Sequence, residues 1–164
     1  MFRRIALTTA LLAAPLALLA QTQRAAPAQA SRQATPSQTP QQIDALKKQN
    51  EVMAQVAAQV AQIVDRGQAG QVWDGASSVA KQAVTRDAFV KQISADRSTV
   101  GKPLSRKIAA ITRSESKGNG TPAGYYINVS FATQFSNEKQ PVRELVSFHL
   151  DSDKTWRVSG YTLR

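Results

Sequence analysis

At Gly101 the spacing of the apolar residues changes, and that change limits the class of fold open to this chain. Before Gly101 they recur every three or four residues, the period of a helix; after it they alternate, the period of a strand. One such switch puts helices in one layer and hairpin-linked strands in another, an α+β arrangement. The expectation is an antiparallel four-stranded meander, curved and cystatin-like, with the long helix lying across one face.

The helical half divides at its punctuation. Residues 43–66 carry Leu46, Met53, Val56, Val60, Ile63 and Val64 at helical steps, and Gly67 supplies a stop. Ala54, Ala57, Ala58 and Ala61 leave room for close packing. A shorter helix is expected over 70–83 with Val72, Trp73, Ala76, Val79 and Ala80, and a third over 86–99, capped by Thr85.

In the second half, strands are expected over 104–113, 125–135 and 142–150, closed by the last ten residues, 155–164. Residues 114–122 hold Gly118-Asn119-Gly120 and form a loop; 136–139 form a turn. Alternation puts Tyr125, Ile127, Val129, Phe131 and Phe135 on one face, and Tyr126, Asn128, Ser130 and Gln134 on the other. Val146, Phe148 and Leu150 point inward, with Glu144 sharing the parity of Val142 and Val146. In the closing strand Trp156 and Val158 are expected on one side, and Arg157, Tyr161 and Leu163 on the other.

Not all of the chain belongs to this domain. Residues 1–20 have the layout of a secretory signal peptide: Arg3 and Arg4, an apolar run from Ile5, then Ala20 before Gln21. The run falls short of the about 20 residues a spanning helix needs. Contact with the membrane is therefore expected only in transit, and the location is periplasmic or secreted. Residues 21–42 are almost wholly Gln, Ala, Pro, Ser and Thr, which reads as a linker, leaving 43–164 as a single domain. The chain has no Cys. That excludes thiol catalysis, thiolate metal sites and disulfides, so a packed core must hold the fold. The net charge is +10, of which Arg3 and Arg4 contribute two. Such a balance favours anionic partners in the cell envelope, or simply a soluble surface.

Four groups of residues resemble a bacterial exported family, domain of unknown function number four thousand and nineteen. They are Asp65, Gly67 and Trp73; Arg97, Gly101 and Arg106 at fixed spacing; Pro122, Gly124 and Tyr126; and Trp156-Arg157-Val158 with Gly160-Tyr161. The resemblance covers about residues 50–164. It implies an exported domain with a curved sheet cradling helices, similar to the nuclear-transport-factor-two or cystatin architecture. It implies no activity and no catalytic residues.

The residues themselves nominate contacts rather than catalysts. Arg97 and Arg106 flank a turn and read either as a clamp for a carboxylate or phosphate, or as internal partners of acids such as Asp65, Asp74 or Asp96. Trp73 and Trp156 read as core or as pocket lining. His149 is the only histidine; without a second His or any Cys it makes no metal site, and it reads as an exposed or half-exposed sheet residue with no orienting carboxylate nearby. Tyr126, Leu145, Tyr161 and Leu163, with Arg143 and Arg157, make one sheet face more apolar than water alone requires. That face reads as a contact for a partner or a second copy, or as a concave surface roofed by the 114–122 loop. There is no phosphate-cradling Gly loop and no Gly-x-Ser-x-Gly elbow. No cofactor, metal or specific nucleic acid is expected.

Three functional readings follow. One is a non-enzymatic binding or protein-interaction module using Arg97, Arg106, Tyr126, Arg143, Arg157 and Tyr161 toward an acidic or amphipathic partner. Another is electrostatic attachment to anionic envelope polymers, which should fade as salt rises through physiological strength. The third is a small pocket enzyme in which Tyr126 or Tyr161 acts beside Glu144. A buried cavity holding Glu144 and a Tyr within hydrogen-bond reach favours the enzyme; a filled core favours the module.

Overall fold

The long helix starts at Pro40 rather than Ile43, because Thr39 and Gln42 cap its first turn reciprocally. Thr39 N–H donates to Gln42 Oε1 at 2.8 Å, and Gln42 N–H donates to Thr39 Oγ1 at 3.3 Å, a capping box with proline at the position a helix tolerates best. The structure, a computed structural model, describes residues 39–164. The expected leader, and the expected linker up to residue 38, lie outside the described residues.

Among the described residues four helices precede four strands: α1 (Pro40–Asp65), α2 (Ala69–Asp74), α3 (Ser78–Ala83), α4 (Arg86–Val100), β1 (Pro103–Ser116), β2 (Gly124–Phe135), β3 (Val142–Leu150) and β4 (Trp156–Leu163). The helix expected over 70–83 is two helices. Gly75 is a weak helix former, and Ser77 offers a cap, its hydroxyl accepting from Ala80 N–H at 3.3 Å. The break also ties the chain to the sheet, since Ser77 N–H donates to Val158 O at 2.8 Å.

The sheet is an open antiparallel meander in the order β1-β2-β3-β4. α1 lies across it and antiparallel to β1: Arg113 donates to Gln49 at one end and Arg106 to Asp65 at the other. The lengths agree, since the helix rises about 24 Å between Gln49 and Asp65, and the strand advances about the same between Arg106 and Arg113. Met53, Ala57, Val60, Ala61 and Val64 of α1 bury against Ile127, Val129, Phe131, Val146 and Phe148. Tyr125 shares the parity of the core residues but stands 55% exposed at the strand end.

One extra residue in β4 changes the sidedness expected of the closing strand. Ser147 pairs with Gly160 but Phe148 with Val158, so Ser159 is unmatched. A bulge of this kind swaps the faces of everything beyond it. Tyr161 and Leu163, expected outward, therefore join Val158 and Trp156 on the core side. Trp156 is half-buried and packs against the margin of the core.

Gly101 ends α4 at φ 82°, and a Cβ there would stand 2.3 Å from Ser136 Oγ. The left-handed turn thus also admits the β2–β3 hairpin, which is held by Lys102 N–H to Ser136 Oγ at 3.0 Å and Asn137 N–H to Val100 O at 3.1 Å. The two sheet edges differ. That of β4 is met by Ser77, whereas no backbone hydrogen bond from another element reaches the outer edge of β1 among the described residues.

Candidate functional site

Buried charge gathers where α1, α4 and all four strands converge. Asp65, the last residue of α1, forms an ion pair with Arg97 of α4 at 3.0 Å and accepts from Arg106 of β1 at 3.1 Å. Arg106 also reaches Glu144 of β3 at 2.5 Å. Glu144 has no exposed surface, and it accepts from Thr133 of β2 and Tyr161 of β4, each at 2.6 Å. Arg97 lies over the Phe135 ring, 4.6 Å from its centroid.

Burial by itself raises the Glu144 carboxyl, but the bonds from Arg106, Thr133 and Tyr161 outweigh it and hold the group below its ordinary range. Burial first, and the neighbouring Glu144 charge second, push the Tyr161 phenol far upward, so its proton stays in place as the donor. The arrangement suits pinning helix to sheet. Glu144 and Tyr161 meet, as an acid–tyrosine enzyme would require, yet among the described residues neither lines the clefts beside α3, α4, β4 or α1.

A second cluster contradicts the expectation for His149. The ring is buried, and its Nδ1 lies 2.9 Å from Asp151 Oδ1. The orienting carboxylate is thus two residues on, just past the end of β3. Asp151 also accepts from Ser78 N–H at 3.2 Å and Arg157 at 3.3 Å, joining α3 to the sheet. Burial raises its carboxyl, but His149, Ser78 and Arg157 together bring it below its ordinary range. Tyr126 packs edge-on to the imidazole at 5.1 Å. Gly124, at φ 142°, admits the ring, because a Cβ there would lie 2.4 Å from His149 Nε2.

The face of the sheet turned away from α1 differs in character from both clusters. Lys107 pairs with Ala132, Ala132 with Arg143, and Arg143 exchanges both backbone hydrogen bonds with Arg164. Cross-strand partners share a face, so Lys107, Arg143 and Arg164 form one row. The neighbouring rows are Ala110–Ser130–Leu145–Thr162 and Thr112–Asn128–Ser147–Gly160. These rows contain no Asp or Glu, and none of the three cations belongs to an ion pair among the described residues. Arg143 lies along the face, donating to Ser130 Oγ at 3.2 Å.

Toward the other end of this face lies a trough of about 640 Å³. Its floor crosses every strand, through Ser114, Asn128, Ser147 and Gly160; α3 forms one wall and the β1–β2 loop the other. Ser147 Oγ donates to Asn128 Oδ1 at 2.7 Å, and the Tyr126 hydroxyl to Pro122 O at 2.7 Å.

The six residues expected to contact a partner therefore separate. Arg97, Arg106 and Tyr161 are engaged in the internal network. Arg157 binds Asp153 at 2.7 Å beside Asp151. Arg143 and Tyr126 remain on the outer face, Tyr126 buried beneath Pro122. Trp73 is half-buried, with its indole N–H on Val84 O at 3.2 Å, outside the main core. The sequence reading missed Asn128, Ser147 and Lys107. Once the strands are paired, their common face follows from alternation, but the pairing itself needs the register.

Residues 56–161 match a family model described as a protein of unknown function, DUF4019. No curated protein and no solved structure matches the chain. The match takes in Asp65, Arg97, Arg106, Glu144 and Tyr161, the whole internal network, and on that match the chain belongs to the DUF4019 family.

Proposed function

We propose that this is an exported, non-catalytic binding module that docks an acidic polymer of the cell envelope against the outer face of its sheet. The observation that carries the reading is the row Lys107–Arg143–Arg164, which together with its two neighbouring rows contains no Asp or Glu. Adjacent strands stand about 4.8 Å apart, so the row spans about 14 Å. Cations with no ion-pair partner among the described residues keep their field for an outside anion. The net charge of +10 agrees with this, as does the leader-like layout of residues 1–20.

The pocket-enzyme alternative needs a buried cavity that holds Glu144 with a Tyr within hydrogen-bond reach. The Tyr is present, but the carboxylate is filled by Arg106, Thr133 and Tyr161, and none of those clefts reaches it.

The test is retention of the full chain on immobilised dextran sulfate across a salt gradient. Retention should fade through physiological ionic strength, where screening acts over about 8 Å. Lys107→Ala with Arg143→Ala should elute earlier, whereas Lys91→Ala, on α4, should not. Salt-independent retention, or an unchanged double variant, overturns the docking reading. Export is tested by N-terminal sequencing of the protein made in a Gram-negative host. A periplasmic product beginning near Gln21 supports it, and a cytoplasmic product retaining Met1 overturns it.

A further inference from the structure

We propose that the trough between α3 and the β1–β2 loop is a saccharide-binding subsite. This goes beyond the docking reading, because it stands on different residues and survives if the cation row fails.

The trough has two kinds of wall. On the α3 side Val79, Ala80 and Ala83 present small apolar surfaces; on the floor Asn128, Ser147 and Ser114 present amide and hydroxyl groups. A pyranose ring has this same division, with C–H faces that favour apolar contact and a rim of hydroxyls that need donors and acceptors. The floor groups are arranged to serve that rim. Ser147 Oγ donates to Asn128 Oδ1, which leaves the Asn128 amide N–H groups free to donate outward. The Tyr126 hydroxyl spends its proton on Pro122 O and keeps lone pairs to accept with.

Other ligand classes fit less well. The charged residues that line the trough, Glu115 and Lys117, pair with each other, so no ionic recognition is left over for a nucleotide. An acyl chain would strand the floor's hydroxyls and amide without partners. An extended peptide is recognised through the backbone of a strand edge, whereas this floor is a sheet face. At about 640 Å³ the trough lies within the size range of small-ligand sites.

The experiment is titration of the isotopically labelled full chain with two uncharged probes, triacetylchitotriose and maltotriose, followed by amide NMR. At least one probe should move the resonances of Asn128, Ser147 and Ala83. Asn128→Leu removes the floor amide, and Ala83→Trp blocks the wall from an exposed position that the fold tolerates. Each should weaken binding about tenfold or more, the usual effect of losing a directed hydrogen bond or the space for the ring. Arg143→Ala should leave the affinity for the uncharged probe unchanged while reducing retention on dextran sulfate, so the two readings fail separately. No binding of either probe, or binding that ignores both trough variants, or binding lost in Arg143→Ala, overturns the proposal.

Discussion

The Tyr161 hydroxyl donates to Glu144 Oε1 at 2.6 Å, and both side chains are buried. Their contact depends on the unmatched Ser159, without which Tyr161 would face the other way. Glu144 also holds Thr133 and Arg106, and Arg106 holds Asp65, so one carboxylate joins all four strands to the end of α1.

Removing that carboxylate should leave Arg106 buried with an incomplete set of partners. Glu144→Ala is expected to lower stability by about 3–5 kcal/mol in urea unfolding, the usual cost of breaking a buried pair from one side. Tyr161→Phe should cost about 1.5–3 kcal/mol, since it removes one hydrogen bond to a charged group. Equal stabilities for Glu144→Ala and the parent would mean that the network contributes nothing.

Acid should loosen the fold through Glu144 and Asp151. Both carboxyls sit below their ordinary values of 4.5 and 3.8 in the folded chain. The unfolded chain therefore binds protons first as pH falls. The stability they contribute is fully present above about pH 5 and is lost progressively as pH drops through their folded values. Thermal melts between neutral pH and pH 3 should show the decline, and Glu144→Gln should flatten it.

Trp156 and Phe148 provide a comparison of burial. Phe148 is 1% exposed and should cost about 3–5 kcal/mol when changed to Ala. Trp156 is partly exposed at the margin of the core, so Trp156→Ala should cost less than Phe148→Ala despite its larger ring. Denaturant midpoints of the two variants check the order.

Gly124→Ala should be destabilising through both its backbone and its neighbour. The φ of 142° strains any L-residue, and the new Cβ would meet His149 Nε2. A loss of about 2–3 kcal/mol is expected. Combined with His149→Ala, the loss should be smaller than the sum of the two single changes, because one steric conflict is removed. A double-mutant cycle that is strictly additive would rule out the contact.

Much of the fold was legible because local signals agree with the tertiary arrangement. The change of period at Gly101 marked the two layers, Thr85 capped the last helix as expected, and the parity of Glu144 put it inside. What escaped was set by single residues acting through partners distant in sequence. Ser159 reverses the end of β4, yet nothing in Val158-Ser159-Gly160 distinguishes a bulge from a regular strand. His149 reads as unpartnered because Asp151 falls past the strand expected over 142–150, and only the folded chain brings its carboxylate back onto the imidazole. The outer face carried the candidate contacts, but alternation alone could not tell which of them the core would claim.

The two borders of the sheet have unequal futures. Ser77 and the helix after it occupy the β4 side, while β1 offers fourteen residues with no neighbour beyond them among the described residues. Two copies joined along β1 would pair through their longer unoccupied borders. Growth into a fibre would need the β4 border as well, where an incoming strand would meet Ser77 at Val158.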